Sequence, residues 1–80
     1  MLSNIIILTQ SRNLIVEPSR QIYIKYFIED GKYHILTNFI NGDYDDLAGY
    51  KRINKAEQVL LFILESIAKH KTTFVMPIDD

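Results

Sequence analysis

Two turn dipeptides, Asp30-Gly31 and Asn41-Gly42, cut the stretch from Gln21 to Tyr50 into three apolar runs of strand length. Asp-Gly and Asn-Gly tolerate the positive φ that two-residue hairpin turns demand. Two of them in succession predict an antiparallel meander of three strands, Gln21–Glu29, Lys32–Ile40 and Asp43–Tyr50. Two-residue turns also predict the register. Ile28 should face Tyr33, Tyr26 should face Ile35, Ile24 should face Thr37 and Ile22 should face Phe39. In the second hairpin Phe39 should face Tyr44, Ile35 should face Ala48 and Tyr33 should face Tyr50. Cross-strand partners share a sheet face, and this face is almost wholly apolar, as a core face must be.

The opposite face carries Gln21, Tyr23, Lys25, Phe27, His34, Leu36, Asn38, Asp45 and Leu47. Tyr23, Phe27, Leu36 and Leu47 would form an apolar band across it. Asp46 falls on the core face opposite Thr37, where a carboxylate does not belong. A bulge within Asp43–Asp46 would turn it outward and bring Leu47 in.

Elements flank the meander on both sides. Ile5–Thr9 and Leu14–Val16 read as short strands around the polar turn Gln10–Asn13, and Pro18 ends the second. Asn54 suits a helix cap, with Glu57 placed to complete a capping box. From there to about His70 the residues Ala56, Val59, Leu60, Ile63, Leu64 and Ile67 recur on one helical face. Gln58, Glu65 and Lys69 take the other face, with Phe62 among them. Lys69-His70-Lys71 suits the negative pole of the helix dipole. Thr73–Met76 reads as a last strand, stopped by Pro77. The order β-β-β-β-β-α-β predicts an α+β fold: one domain over residues 1–80, an antiparallel sheet of five to six strands, and a helix packed on one face.

The segments Gly42-x-Tyr44-x-x-Leu47-Ala48-Gly49-Tyr50, Ala56-x-x-Val59-Leu60-x-x-Ile63 and Phe74-x-Met76-Pro77 resemble a family of small uncharacterised proteins from Gram-positive bacteria and their prophages. Ser11-Arg12-Asn13 stands where many members of that family carry a Gly in the first hairpin. The resemblance implies a cytoplasmic domain carried by mobile elements. It implies no reaction and no catalytic residues.

Chemistry is thin in this chain. It has no Cys, so no disulfide framework and no thiolate zinc site is expected. Asp43, Asp45 and Asp46 follow Gly42, and no Glu closes the group as a calcium loop requires. His34 and His70 have no metal-ligand partners at suitable spacing, Ser3, Ser11, Ser19 and Ser66 lie in no recognisable nucleophile motif, and the three glycines form no phosphate loop. No metal, cofactor or enzymatic activity is expected. Lys51, Arg52 and Lys55 cluster before the helix, and Lys25 sits between Tyr23 and Phe27. These support an alternative reading as a weak nucleic-acid-binding module, against which stands the net charge of −1.

Hydrophobic residues make up 48% of only 80 positions, more than a small helix-on-sheet unit readily hides. Either the apolar band and Phe62 are covered by a curled sheet or folded hairpin, or they mark an interaction surface. The leading expectation is a protein-interaction domain that binds itself as a homodimer, or a host or phage protein, as an accessory factor or inhibitor. Its expected contact residues are Tyr23, Lys25, Phe27, Leu36, Leu47 and Phe62. No basic leader precedes the short Ile5–Leu8 run, which is too short for a membrane span, so a cytoplasmic location is expected.

Overall fold

The computed structural model describes residues 5–18, 21–38 and 41–79. Its strands are β1 (Ile6–Leu8), β2 (Ile15–Val16), β3 (Ile22–Phe27), β4 (Lys32–Asn38), β5 (Tyr44–Tyr50) and β6 (Thr73–Val75), with one helix, α1 (Ile53–Ala68), between β5 and β6. The fold class is α+β, as expected, but the strands form two sheets rather than one. The meander is a sheet of order β3-β4-β5, and the outer elements form a second sheet of order β2-β1-β6. β1 is central there, antiparallel to β2 and parallel to β6. The strands of this second sheet hold only two or three residues each. The sheets meet where the Gln10 N–H donates to the Leu47 carbonyl at 2.9 Å.

The first hairpin departs from the expected register by two residues. Ile24 pairs with Ile35, not Thr37; Tyr26 pairs with Tyr33, and Ile22 with Thr37. Its loop holds four residues, Ile28 to Gly31, closed by the Gly31 N–H on the Phe27 carbonyl at 2.9 Å. The Asp30 side chain accounts for the longer loop, because Oδ1 accepts the Lys32 N–H at 3.0 Å while Oδ2 reaches His34. Gly31 keeps the positive φ, 69°, that made it a turn residue. A shift of two preserves the side-chain alternation, so the faces stay as expected while Ile28 moves out into the loop, 83% exposed.

In the second hairpin Tyr33 pairs with Tyr50 and Ile35 with Ala48, as the alternation requires. Beyond them the register breaks between Ile35 and Leu36, and Leu36 pairs with Asp46. The extra residue is Leu47, which turns into the core while Asp46 turns outward, the alternative that a bulge offers. The pairings expected for Phe39 lie outside the described residues.

The core gathers Ile7 and Val16 from the small sheet and Ile5 just before it, Ile35, Leu47, Ala48 and Tyr50 from the meander, and Ala56, Val59 and Ile63 from the helix, with Met76. Tyr50 is fully buried, and its hydroxyl donates to the Pro77 carbonyl at 2.6 Å. Burial pushes that phenol's pKa up, and the charge of Asp79 adds to the effect.

The helix starts one residue before the expected cap. Arg52 is the N-cap, extended at φ −115° and without a side-chain cap bond. Tyr50 is anchored in β5, so only Lys51 and Arg52 separate strand from helix, and Asn54 falls inside the first turn. At the other end Lys69 is the C-cap, and His70 takes the left-handed conformation at φ 57°. The Lys71 N–H donates to the Ser66 carbonyl and the His70 N–H to the Ile67 carbonyl. These two bonds make a Schellman motif with His where Gly is usual.

The buried stripe of α1 is Ala56, Val59, Ile63 and Ser66, narrower than the sequence suggests. Ser66 tolerates burial because its hydroxyl donates back to the Phe62 carbonyl at 2.9 Å. Leu60 and Ile67 are half-buried at the edge of this stripe, and Leu64, expected to face inward, is 61% exposed.

Candidate functional site

α1 crosses the meander toward its β3 side and leaves an open groove of about 620 Å³. Ile22 and Ile24 of β3 form one wall, and Leu60, Leu61, Leu64 and Ile67 form the other. Among the described residues Glu57 is the one charged side chain lining it. Leu61 is 58% exposed, and on the same sheet face Tyr26 is 51% exposed. The groove exists because the buried stripe of α1 runs through Ile63, which sets Leu61 and Leu64 on the flank instead of underneath.

The six residues expected to make contacts do not lie together. Tyr23, Lys25, Phe27 and Leu36 share the outer face of the meander. Leu47 leaves that face through the bulge, and Phe62 lies apart on the helix. The apolar band is also consumed locally. Leu36 is buried, and the Tyr23 hydroxyl donates to Asn38 Oδ1 at 2.9 Å. Phe27 stacks on His34 with ring centroids 4.3 Å apart, and Lys25 Nζ lies 5.9 Å from the Phe27 centroid. Phe62 borders a smaller groove with Glu65, Lys69, Phe74, Val75 and Pro77.

That same outer face holds a charged clamp that the sequence reading passed over. His34 is buried, with Nδ1 2.7 Å from Asp46 Oδ2 and Nε2 2.6 Å from Asp30 Oδ2. A neutral imidazole has one N–H to give, so two carboxylate partners call for the imidazolium. Burial, the largest single influence, favours the neutral ring. The hydrogen bonds to Asp46 and Asp30, with their charges, together outweigh it and raise the His34 pKa above 6.5. On Asp30 burial acts to raise the pKa, and the bond to His34 leads the effects that bring it below 3.8. The ring lies flat between Phe27 and Gly49, where an added Cβ would come 2.9 Å from His34 Cε1. Both ring nitrogens are engaged, so the imidazolium ties the first hairpin loop to the bulged strand and has no lone pair left for a metal or a proton. The bulge supplies Asp46, which is why alternation alone hid the clamp.

The basic cluster stays together near the start of α1. Lys51, Arg52 and Lys55 border a surface depression with Asn54, Gln58 and Asp79. One Asp79 carboxylate oxygen already accepts the Lys51 N–H, at 3.0 Å. No group of His, Cys, Asp or Glu among the described residues is arranged to hold a metal ion, and no helix there is long and apolar enough to cross a membrane.

No family model, no curated protein and no solved structure matches this chain.

Proposed function

We propose that this chain is a non-enzymatic protein-interaction domain whose docking surface is the groove between α1 and β3. One observation carries the reading. Leu61 and Leu64 stand 58% and 61% exposed beside Ile22 and Ile24, so the flank of a helix and the flank of a sheet leave a shared apolar floor open to water. Apolar surface held open between two rigid elements favours a protein partner, since each large side chain removed from water contributes about 1.5–3 kcal/mol. An accessory or inhibitory role, exerted by binding a partner, needs no more than such a surface.

The test is a photo-crosslinking side chain placed at Leu64 and, as a control, at Asn13, an exposed residue of the β1–β2 turn. In cells, position 64 should yield a discrete adduct with a polypeptide, a second copy of the chain or another protein, and position 13 should yield none. Equal trapping from both positions, or none from position 64, would defeat the reading.

A further inference from the structure

We propose that the groove's occupant is a second copy of this chain, joined by antiparallel pairing of β3 with the partner's β3 about a two-fold axis at Ile24. The inference rests on the interaction reading above and specifies its partner. Among the described residues β3 is an edge strand, paired with β4 alone. The Asn38 N–H donates to the Gln21 carbonyl at 3.3 Å, which sets the phase of the ladder. In an antiparallel pair, residues whose backbone groups point to the neighbour alternate with residues whose groups point away. Gln21, Tyr23, Lys25 and Phe27 therefore point to β4, and the N–H and C=O groups of Ile22, Ile24 and Tyr26 point outward.

Pairing two such edges antiparallel admits few registers. With Ile24 opposite the partner's Ile24, Ile22 falls opposite the partner's Tyr26 and Tyr26 opposite the partner's Ile22. Every outward backbone group then meets another, and Tyr23 lies opposite the partner's Lys25. The register one step further along places Lys25 directly against the partner's Lys25, a like-charge contact that disfavours it. The step in the other direction leaves Tyr26 without its counterpart in β3. Lys25, the residue that would ordinarily guard an edge, thus selects the register.

The axis relating two antiparallel strands is normal to the sheet, so both helices lie on the same face of a continuous six-stranded sheet and run antiparallel. Their exposed flanks then meet above the new seam, Leu61 toward the partner's Leu64 and Leu64 toward the partner's Leu61. The two grooves become one interior. A two-fold contact of this kind closes on itself and leaves no open edge of β3 to propagate.

The chain has no Cys, so introduced thiols report the register cleanly. Purified wild type should sediment at twice the chain mass at high micromolar concentration. Tyr26→Pro removes an outward N–H that β4 does not use, and Leu64→Asp charges the exposed flank; each should yield a monomer with an unchanged circular dichroism spectrum. A mixture of Tyr23→Cys and Lys25→Cys chains should form a mixed disulfide at least tenfold faster than either chain alone forms its own. Faster self-coupling of Lys25→Cys, or no coupling in the mixture, would overturn the register. A wild type that stays monomeric would overturn the dimer. If position 64 nevertheless traps a foreign polypeptide in cells, the interaction reading survives the loss of this inference; if it traps nothing, both fall.

Discussion

His34 illustrates how one side chain acquires meaning from two others. Its imidazolium donates to Asp30 in the hairpin loop and to Asp46 in the bulge, and Phe27 and Gly49 sandwich the ring. The sign of its pH dependence follows from the raised pKa. Below the ordinary value of 6.5 the clamp contributes its full stabilisation, and the contribution fades as pH rises through the raised folded value. Asp30 sets the acid limit: its pKa lies below 3.8, so its share is present above that value and fades as pH falls through the depressed one. Urea midpoints from pH 5 to 9 should therefore decline across the His34 titration in the wild type. In His34→Gln that component of the decline should vanish. The ring protons of His34 should titrate above 6.5 by nuclear magnetic resonance; titration at or below that value would contradict the two-carboxylate geometry. Alternation does not bring either partner to His34, because a two-residue turn keeps Asp30 at its tip and only a bulge, the open alternative, turns Asp46 off the core face. Both were moved by backbone features, a longer loop and a bulge, that alternation does not encode.

Elements were more legible than their ends. Among the described residues six strands and one helix appear where the apolar runs and the helical period place them. The caps did not follow the chemistry of single residues: Asn54 lost its capping position because the strand before it runs to Tyr50 and leaves a two-residue connection. The end of α1 carries an energetic flaw in His70, whose left-handed backbone costs a non-Gly residue roughly 1–2 kcal/mol. His70→Gly removes that strain and gives back part of the gain through a freer unfolded chain. The expected net effect is a stabilisation of about 0.5–1 kcal/mol, which for a domain of this size raises the melting temperature by roughly 2–8 °C. A lower melting temperature would show that the His70 side chain contributes more than its backbone loses. The helix also shows why a wide apolar arc does not settle which part is buried. Val59 and Ile63 are buried while Leu64 stays exposed, a choice made by the position of β3 and not by hydrophobicity.

At the scale of the whole molecule, Gln10 holds the two sheets together. Its side-chain amide accepts the Gly49 N–H at 3.0 Å, donates to the Gly49 carbonyl at 3.1 Å and reaches the Pro77 carbonyl at 3.2 Å. It thus imitates a strand along the edge of β5 and ties in the chain that follows β6. Gln10→Ala leaves the buried Gly49 N–H without its acceptor and should cost about 1–3 kcal/mol. Hydrogen exchange should show the Gly49 amide losing protection first; unchanged protection would mean that another group supplies the acceptor. Nothing in the residue type marks Gln10 for this part, since a polar residue after an apolar run reads only as a turn. The sequence by itself determined the α+β class, the consecutive meander, the helix and most of the core, because turn chemistry and periodicity are local and act over a few residues. Tertiary structure decided the division into two sheets, the parallel pairing of β1 with β6, the bulge that exchanges Asp46 for Leu47, and the open groove beside β3. Each of these depends on segments distant in the chain competing for the same backbone partners and the same apolar surface, and that competition is resolved only when all of them pack at once.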